Sequence, residues 1–244
     1  MVGVPRDEGS ACVYSGLHAK SSIRRNPAVL GGGTVIRMEK ADWLAPTMPV
    51  EENNLLTECY RNADVIVEYG SGSSTAQASA LPSKLIFSVE SDQDWALRLQ
   101  QEIYARKLPS PAVVYHVDVG PTGKWGRPLD AANWRQFSRY ATAIWSEPHF
   151  RHPDVVLIDG RLRLGCLAAV ALGIRRKTVV LFDDYTSRPV YARNNAIAEP
   201  DLIAGRMARF TLEPGMIDHQ NFSAVISMFS MMSTVAETDH KFYN

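Results

Sequence analysis

The stretch Val65-Ile66-Val67-Glu68-Tyr69-Gly70-Ser71-Gly72-Ser73-Ser74-Thr75 decides the fold. Its branched apolar start reads as a buried strand. Two glycines flanking one residue let the backbone turn tightly and come close to a ligand. Ser73, Ser74 and Thr75 can cap a helix that opens at once, offering free N–H groups. A Gly-x-Gly alone is a weak sign. Between an apolar strand and a helix it becomes a candidate binding turn.

The same alternation continues outward. Leu85–Val89, Val113–Val117, Val155–Ile158 and Thr178–Phe182 read as further strands, and Met207–Leu212 as a later one. Trp95, Leu99 and Ile103 recur at helical steps, as do Trp134, Phe137, Ala141 and Ile144. Ser91 with Asp94 is expected to open the first of these helices. Leu164–Leu172 is expected to be helical and to end on Gly173 in a left-handed cap. Continuous Val/Ile/Leu strands alternating with helices predict an α/β fold, doubly wound, with a mostly parallel sheet and helices on both faces. The expected organisation is an irregular, Gly- and Ser-bearing arm over 1–40, a Rossmann-like binding domain over 41–216, and a C-terminal helix or tail over 217–244.

With 244 residues the chain is long enough for one domain with decorations, and its formal net charge is zero. Zero charge argues against nucleic acid as a general partner. The longest apolar stretch, 222–236, is too short and too rich in serine to span a bilayer of ~30 Å, so no membrane partner is expected. No apolar leader is visible at the start. Cys12, Cys59 and Cys166 are far apart and form no Cys-x-x-Cys, which argues against a zinc site or disulfides and predicts a reduced, cytoplasmic setting. Nothing here fixes an oligomeric state.

In doubly wound sheets ligands gather at the carboxyl ends of the strands. After the first strand stand Glu68, Gly70, Ser71, Gly72 and Ser74. Glu68 would oppose a dinucleotide pyrophosphate lying over the turn, and Thr75 occupies the place of the third glycine of Gly-x-Gly-x-x-Gly. S-adenosylmethionine instead carries a sulfonium and an ammonium, which Glu68 would attract. A strand-end carboxylate can also simply cap nearby amides. After the second strand come Glu90 and Ser91, about twenty residues past the glycines, where an acid suits ribose hydroxyls. Asp118 follows the third strand, at a position suited to the edge of an adenine. The loop Val119–Gly126 reads either as a lid or as a surface turn. Asp159 ends the fourth strand, and Asp183 and Asp184 the fifth. These acids either share a divalent ion or act as base and substrate clamp. Lacking a diagnostic spacing, they are read without a metal. Asp159 and Asp184 are the candidate catalytic residues, with His116 a further possible base. Asp159 is also a candidate cofactor contact. Arg161, Arg163 and Arg188 can hold an anionic substrate.

The run 65–75, the segment Phe87-Ser-Val-Glu-Ser-Asp92 and Asp154-Val-Val-Leu-Ile-Asp-Gly-Arg161 resemble, in order and spacing, the motifs of class I S-adenosylmethionine-dependent methyltransferases. More narrowly, Gly120-Pro-Thr-Gly-Lys-Trp-Gly126 and Asp159-Gly-Arg-Leu-Arg163 are similar to a bacterial group of methyltransferase-like proteins. The resemblance covers roughly residues 50–215. It implies S-adenosylmethionine held by Glu68, Gly70, Gly72 and Glu90. No motif names the acceptor, and methyl transfer to a small molecule is the leading reading. The alternatives are a degenerate family member that binds without catalysis, and an NAD-dependent oxidoreductase, which Glu68 and Thr75 disfavour.

Overall fold

The computed structural model describes residue 42 and residues 44–235. The arm expected over 1–40 and the tail beyond 235 lie outside the described residues. The chain forms α1 (Val50–Arg61), β1 (Val65–Tyr69), α2 (Ser73–Ala80), β2 (Leu85–Glu90), α3 (Gln93–Arg106) and β3 (Ala112–His116). The second half adds α4 (Trp134–Thr142), β4 (Val155–Ile158), α5 (Arg163–Gly173), β5 (Thr178–Phe182), α6 (Pro189–Asn194), β6 (Leu202–Ala204), β7 (Met207–Leu212) and α7 (Phe222–Ser227). Three of these lie outside the sequence expectation, the short α6 among them. Another is α1, whose Leu55, Leu56 and Tyr60 bury one helical side. The third is the short, largely exposed β6.

The strands make a seven-stranded sheet in the order β3-β2-β1-β4-β5-β7-β6. β1 through β5 run parallel, while β7 is antiparallel to both of its neighbours. The mostly parallel, doubly wound sheet is therefore present. The chain moves outward from β1 through β2 to β3, then returns to β4 on the other flank of β1. That reversal leaves a crevice at the carboxyl ends of β1 and β4.

Strand alternation divides the interior in two. Val67 and Tyr69 face a core with Tyr140, Leu167, Val170 and Met228. Ile66 faces the opposite core with Leu56, Tyr60, Ile86 and Leu99. Each fully buried aliphatic side chain contributes about 1.5–3 kcal/mol, so two such layers hold the sheet from both sides. α5 buries every residue from Arg163 to Ala171. It packs against α4, α7 and the 3-10 turn that follows α7. A helix covered on several sides is apolar all round, which accounts for its run of Leu, Ala and Val.

Two cap expectations are corrected. Asp92 opens α3, its Oδ1 accepting from Trp95 N at 2.9 Å, whereas the Ser91 hydroxyl donates to Gly126 O at 2.7 Å. Gly173 is the last residue of α5 and not a left-handed cap, because the chain leaves the helix through an extended Ile174. Gly173 meets a different need, since a Cβ there would lie 2.5 Å from the Trp145 ring. No helix among the described residues is long and apolar enough to cross a membrane.

Candidate functional site

The sheet ladder runs on past the strand ends. Gly70 N donates to Val89 O at 2.9 Å, Asp159 N to Tyr69 O at 2.9 Å, and Asp183 N to Ile158 O at 3.0 Å. The residues after β2, β1, β4 and β5 therefore stand level along one edge. Above that edge opens a cavity of about 670 Å³, well within the range of small-molecule sites.

The glycine turn forms one wall. Gly70 has φ +98°, and a Cβ there would lie 2.6 Å from Gly160 Cα, so both conformation and space demand glycine. Gly72 is extended, and nothing lies within 4 Å of where its Cβ would be. Below the turn, Gly72 N donates to Thr75 Oγ1 at 3.0 Å, and Thr75 Oγ1 donates to Glu68 Oε2 at 2.5 Å. The Tyr60 hydroxyl donates to Glu68 Oε1 at 2.7 Å. Glu68 is fully buried and is not among the residues lining the cavity. The expected direct contact between Glu68 and a cofactor is thus corrected. Strand parity turns its side chain toward α1, and it reaches the turn only through Thr75. Burial pushes its carboxyl up, against the bonds from Thr75 and Tyr60.

Glu90 does open into the cavity. Its carboxylate accepts five hydrogen bonds, from the backbone N–H groups of Ser71, Ser91 and Asp92 and the hydroxyls of Ser71 and Ser91. That fixes its orientation at the end of β2. Ser71 and Ser74 line the cavity beside it. Ser91 does not; it is buried and ties Glu90 to Gly126. Gly126 has φ +64°, and a Cβ there would sit 2.8 Å from Glu90 Oε1. The 119–126 loop consequently closes on the site: Trp125 and Gly126 line the cavity, and Trp125 is 73% exposed. Asp118 is a second correction. It is exposed, lies outside the cavity lining, and accepts from Gly120 N at 2.8 Å, so it shapes the loop's turn.

Asp159, Asp183 and Asp184 all line the cavity, as do Arg161, Arg163, Arg188 and Arg206. Arg163 is buried and braces the strand ends, donating to the carbonyls of Gly160, Asp159 and Asp183. It also pairs with Asp159 Oδ1 at 2.9 Å and Asp184 Oδ2 at 3.3 Å. Arg206 clasps Asp183, with Nε 3.0 Å from Oδ1 and Nη2 3.2 Å from Oδ2. Asp184 is further met by Arg188 at 2.8 Å and Arg206 at 3.0 Å. Its oxygens are committed to guanidinium groups. Among the described residues Asp159 has Arg163 alone within ion-pair range, and its side chain is 37% exposed. Desolvation pushes its carboxyl up to about 7, with Asp183 and Asp184 adding and Arg163 opposing. Among the described residues no three His, Cys, Asp or Glu side chains group so as to hold a metal ion.

Among the described residues no histidine lines the cavity. His116 ends β3 and does not line the cavity, and His152 Nε2 accepts from Arg175 N at 2.9 Å. His116, named as a further possible base, is therefore not a cavity residue. Several lining residues were not anticipated as site residues. Trp95 donates from its ring N–H to Ser71 O at 2.9 Å. Tyr140 stands beside Gly160, accepting from Arg161 N at 3.3 Å. Arg206 arrives from the β6–β7 hairpin. Trp95, five residues past Glu90, carried a legible sign; Tyr140 and Arg206 carried none.

No family model and no curated protein matches the chain. Among solved structures, a methyltransferase-like protein from Silicibacter pomeroyi DSS-3 is 41% identical, with a TM-score of 0.70. The match covers 76% of this chain and 97% of that one.

The chain belongs to this methyltransferase-like family.

The O-methyltransferase TomG from Streptomyces achromogenes, solved in complex with SAM, is 17% identical over 76% of this chain and 69% of its own, with a TM-score of 0.40. Cofactor-bound Rv0187 from MTB is 16% identical over 76% of this chain and 70% of its own, also at 0.40. Both likenesses are too weak to carry a role across to this family member.

Proposed function

We propose that this protein is an S-adenosylmethionine-dependent methyltransferase acting on a small-molecule acceptor. One arrangement carries the reading. A glycine turn with open space above Gly72 separates an oriented carboxylate, Glu90, from a second carboxylate, Asp159, that burial holds near neutrality. The first suits ribose hydroxyls. The second suits proton removal, because a base works best when its pKa lies near the working pH.

The residues fit the cofactor. Glu90 accepts from two vicinal hydroxyls once Ser71 Oγ yields its place. The orphan N–H groups at the start of α2 can meet a carboxylate. Trp95 and Trp125 supply aromatic walls for a flat base. Bound S-adenosylmethionine supplies a methyl group on positively charged sulfur, open to in-line displacement. The protein's part is positional and proton-handling. Asp159 takes the proton that an acceptor O–H or N–H loses. Arg163 holds Asp159 in place from behind, and Asp184 keeps Arg163, Arg188 and Arg206 together. Asp184, expected as a second catalytic acid, is therefore assigned a positioning role. Thr75 in place of a third glycine, its hydroxyl bonded to Glu68 and Gly72 N, disfavours a dinucleotide pyrophosphate.

Thermal melting with S-adenosylmethionine, S-adenosylhomocysteine and NAD tests the reading. Stabilisation by the first two and not by NAD is expected. Stabilisation by none would leave a binding protein of another kind, and stabilisation by NAD alone would point to an oxidoreductase.

A further inference from the structure

Three arginines of the cavity answer the aspartates that follow β4 and β5, and Arg161 is not one of them. Asp159, Asp183 and Asp184 are engaged by Arg163, Arg188 and Arg206. Arg161 lines the same cavity and is partly buried. Its Nε is shut away from solvent without a hydrogen-bond partner. No carboxylate among the described residues lies within ion-pair reach of its guanidinium. Burial weakens its hold on its proton, and the neighbouring like charges of Arg163 and Arg127 add to that. Only the phenols of Tyr140 and Tyr191 favour the charged form.

A guanidinium desolvated without an acceptor is unfavourable, and becomes favourable once an anion fills its fork. Arg binds carboxylate and phosphate groups in this planar, two-bond way. Resting on the methyltransferase reading, we propose that Arg161 is the receptor for an anionic group on the methyl acceptor. The substrate class is then a small molecule bearing a carboxylate or phosphate a few bonds from its nucleophilic atom. Arg161 follows Asp159 by two residues on one turn, so anion and reacting O–H or N–H are gripped by the same segment. The cofactor's own carboxylate has a separate receptor in the first N–H groups of α2, across the glycine turn.

Inorganic phosphate, titrated calorimetrically into the full chain at constant ionic strength, is the probe. It is compared across the parent, Arg161→Gln and Arg161→Lys, and S-adenosylhomocysteine is titrated into each separately. One phosphate per chain is expected on the parent, weakened by about tenfold or more in Arg161→Gln, the scale of a charge-assisted hydrogen bond, and partly restored in Arg161→Lys. Cofactor-product affinity is expected to stay within about twofold, since no contact to it is lost. Phosphate affinity that is absent, or unchanged in Arg161→Gln, overturns the proposal. So does an equal loss of S-adenosylhomocysteine affinity, which would make Arg161 the receptor of the cofactor's carboxylate. If the parent binds phosphate through Arg161 but does not bind S-adenosylhomocysteine, the anion site stands and the methyltransferase reading falls.

Discussion

Gly70 and Gly160 face each other across the ends of β1 and β4 with no room for a side chain on either. A Cβ on Gly70 would lie 2.6 Å from Gly160 Cα, and one on Gly160 would lie 2.7 Å from Gly70 N. This closeness sets the width of the crevice between Glu90 and Asp159. Gly70→Ala is expected to destabilise the fold by at least about 1–3 kcal/mol from backbone strain alone, with the clash adding. Urea unfolding measures it. An alanine variant as stable as the parent would show that the two turns are free to part.

Gly72 is the contrasting case. Its extended backbone admits any residue, and its missing side chain faces open cavity. Gly72→Val should keep the parent's unfolding midpoint while losing affinity for S-adenosylhomocysteine by an order of magnitude or more, as steric blockage does. Retained affinity in a folded variant would put the ligand elsewhere.

Glu90→Ala should weaken the same ligand by ~1.5–3 kcal/mol, the range for hydrogen bonds to a charged group. Because Glu90 also ties down Ser71, Ser91 and Asp92, Glu90→Gln is the companion that preserves most of those bonds. Calorimetry on both, with melting curves alongside, separates ribose recognition from local order. Full affinity in either folded variant would remove Glu90 from the binding role.

Asp159 makes the account depend on pH. Its folded-state carboxyl is pushed up to about 7 from an ordinary value of 3.8. As a base it works only when ionised, so kcat/KM for the free enzyme should rise with pH and level off above about 7, and Asp159→Asn should lower turnover and erase that limb. The stability sign is opposite. A raised pKa contributes stability that is complete below about 4 and is lost as pH climbs through about 7. Asp159→Asn should flatten that decline in unfolding free energy. A pH profile unchanged by the substitution would rule out Asp159 as the base.

The parts of this architecture that the sequence makes legible are those written in local pattern. Val65–Val67, Val155–Ile158 and Thr178–Phe182 are short, β-branched apolar runs bounded by turn residues, which reads as buried strands, and Glu90 and Asp159 stand at the ends of theirs. What escaped depends on distant partners. Glu68 sits between Val67 and Tyr69, so parity turns it to the other face of the sheet. Its partner Tyr60 belongs to α1, whose capless start after Pro49 gave no helix signal. Arg206 reaches Asp183 from the β6–β7 hairpin, which lies beside β5 but 23 residues further along the chain. Asp118 was misplaced because its carboxylate accepts from Gly120 N and shapes the turn into the loop, so Trp125 and Gly126 further along line the cavity instead.

The most direct measurement is a calorimetric titration of S-adenosylhomocysteine into the parent protein, with NAD as the control. The account predicts one site per chain for S-adenosylhomocysteine, a loss of that site in Gly72→Val, and no binding of NAD. No heat from S-adenosylhomocysteine, or binding that Gly72→Val leaves untouched, would contradict it.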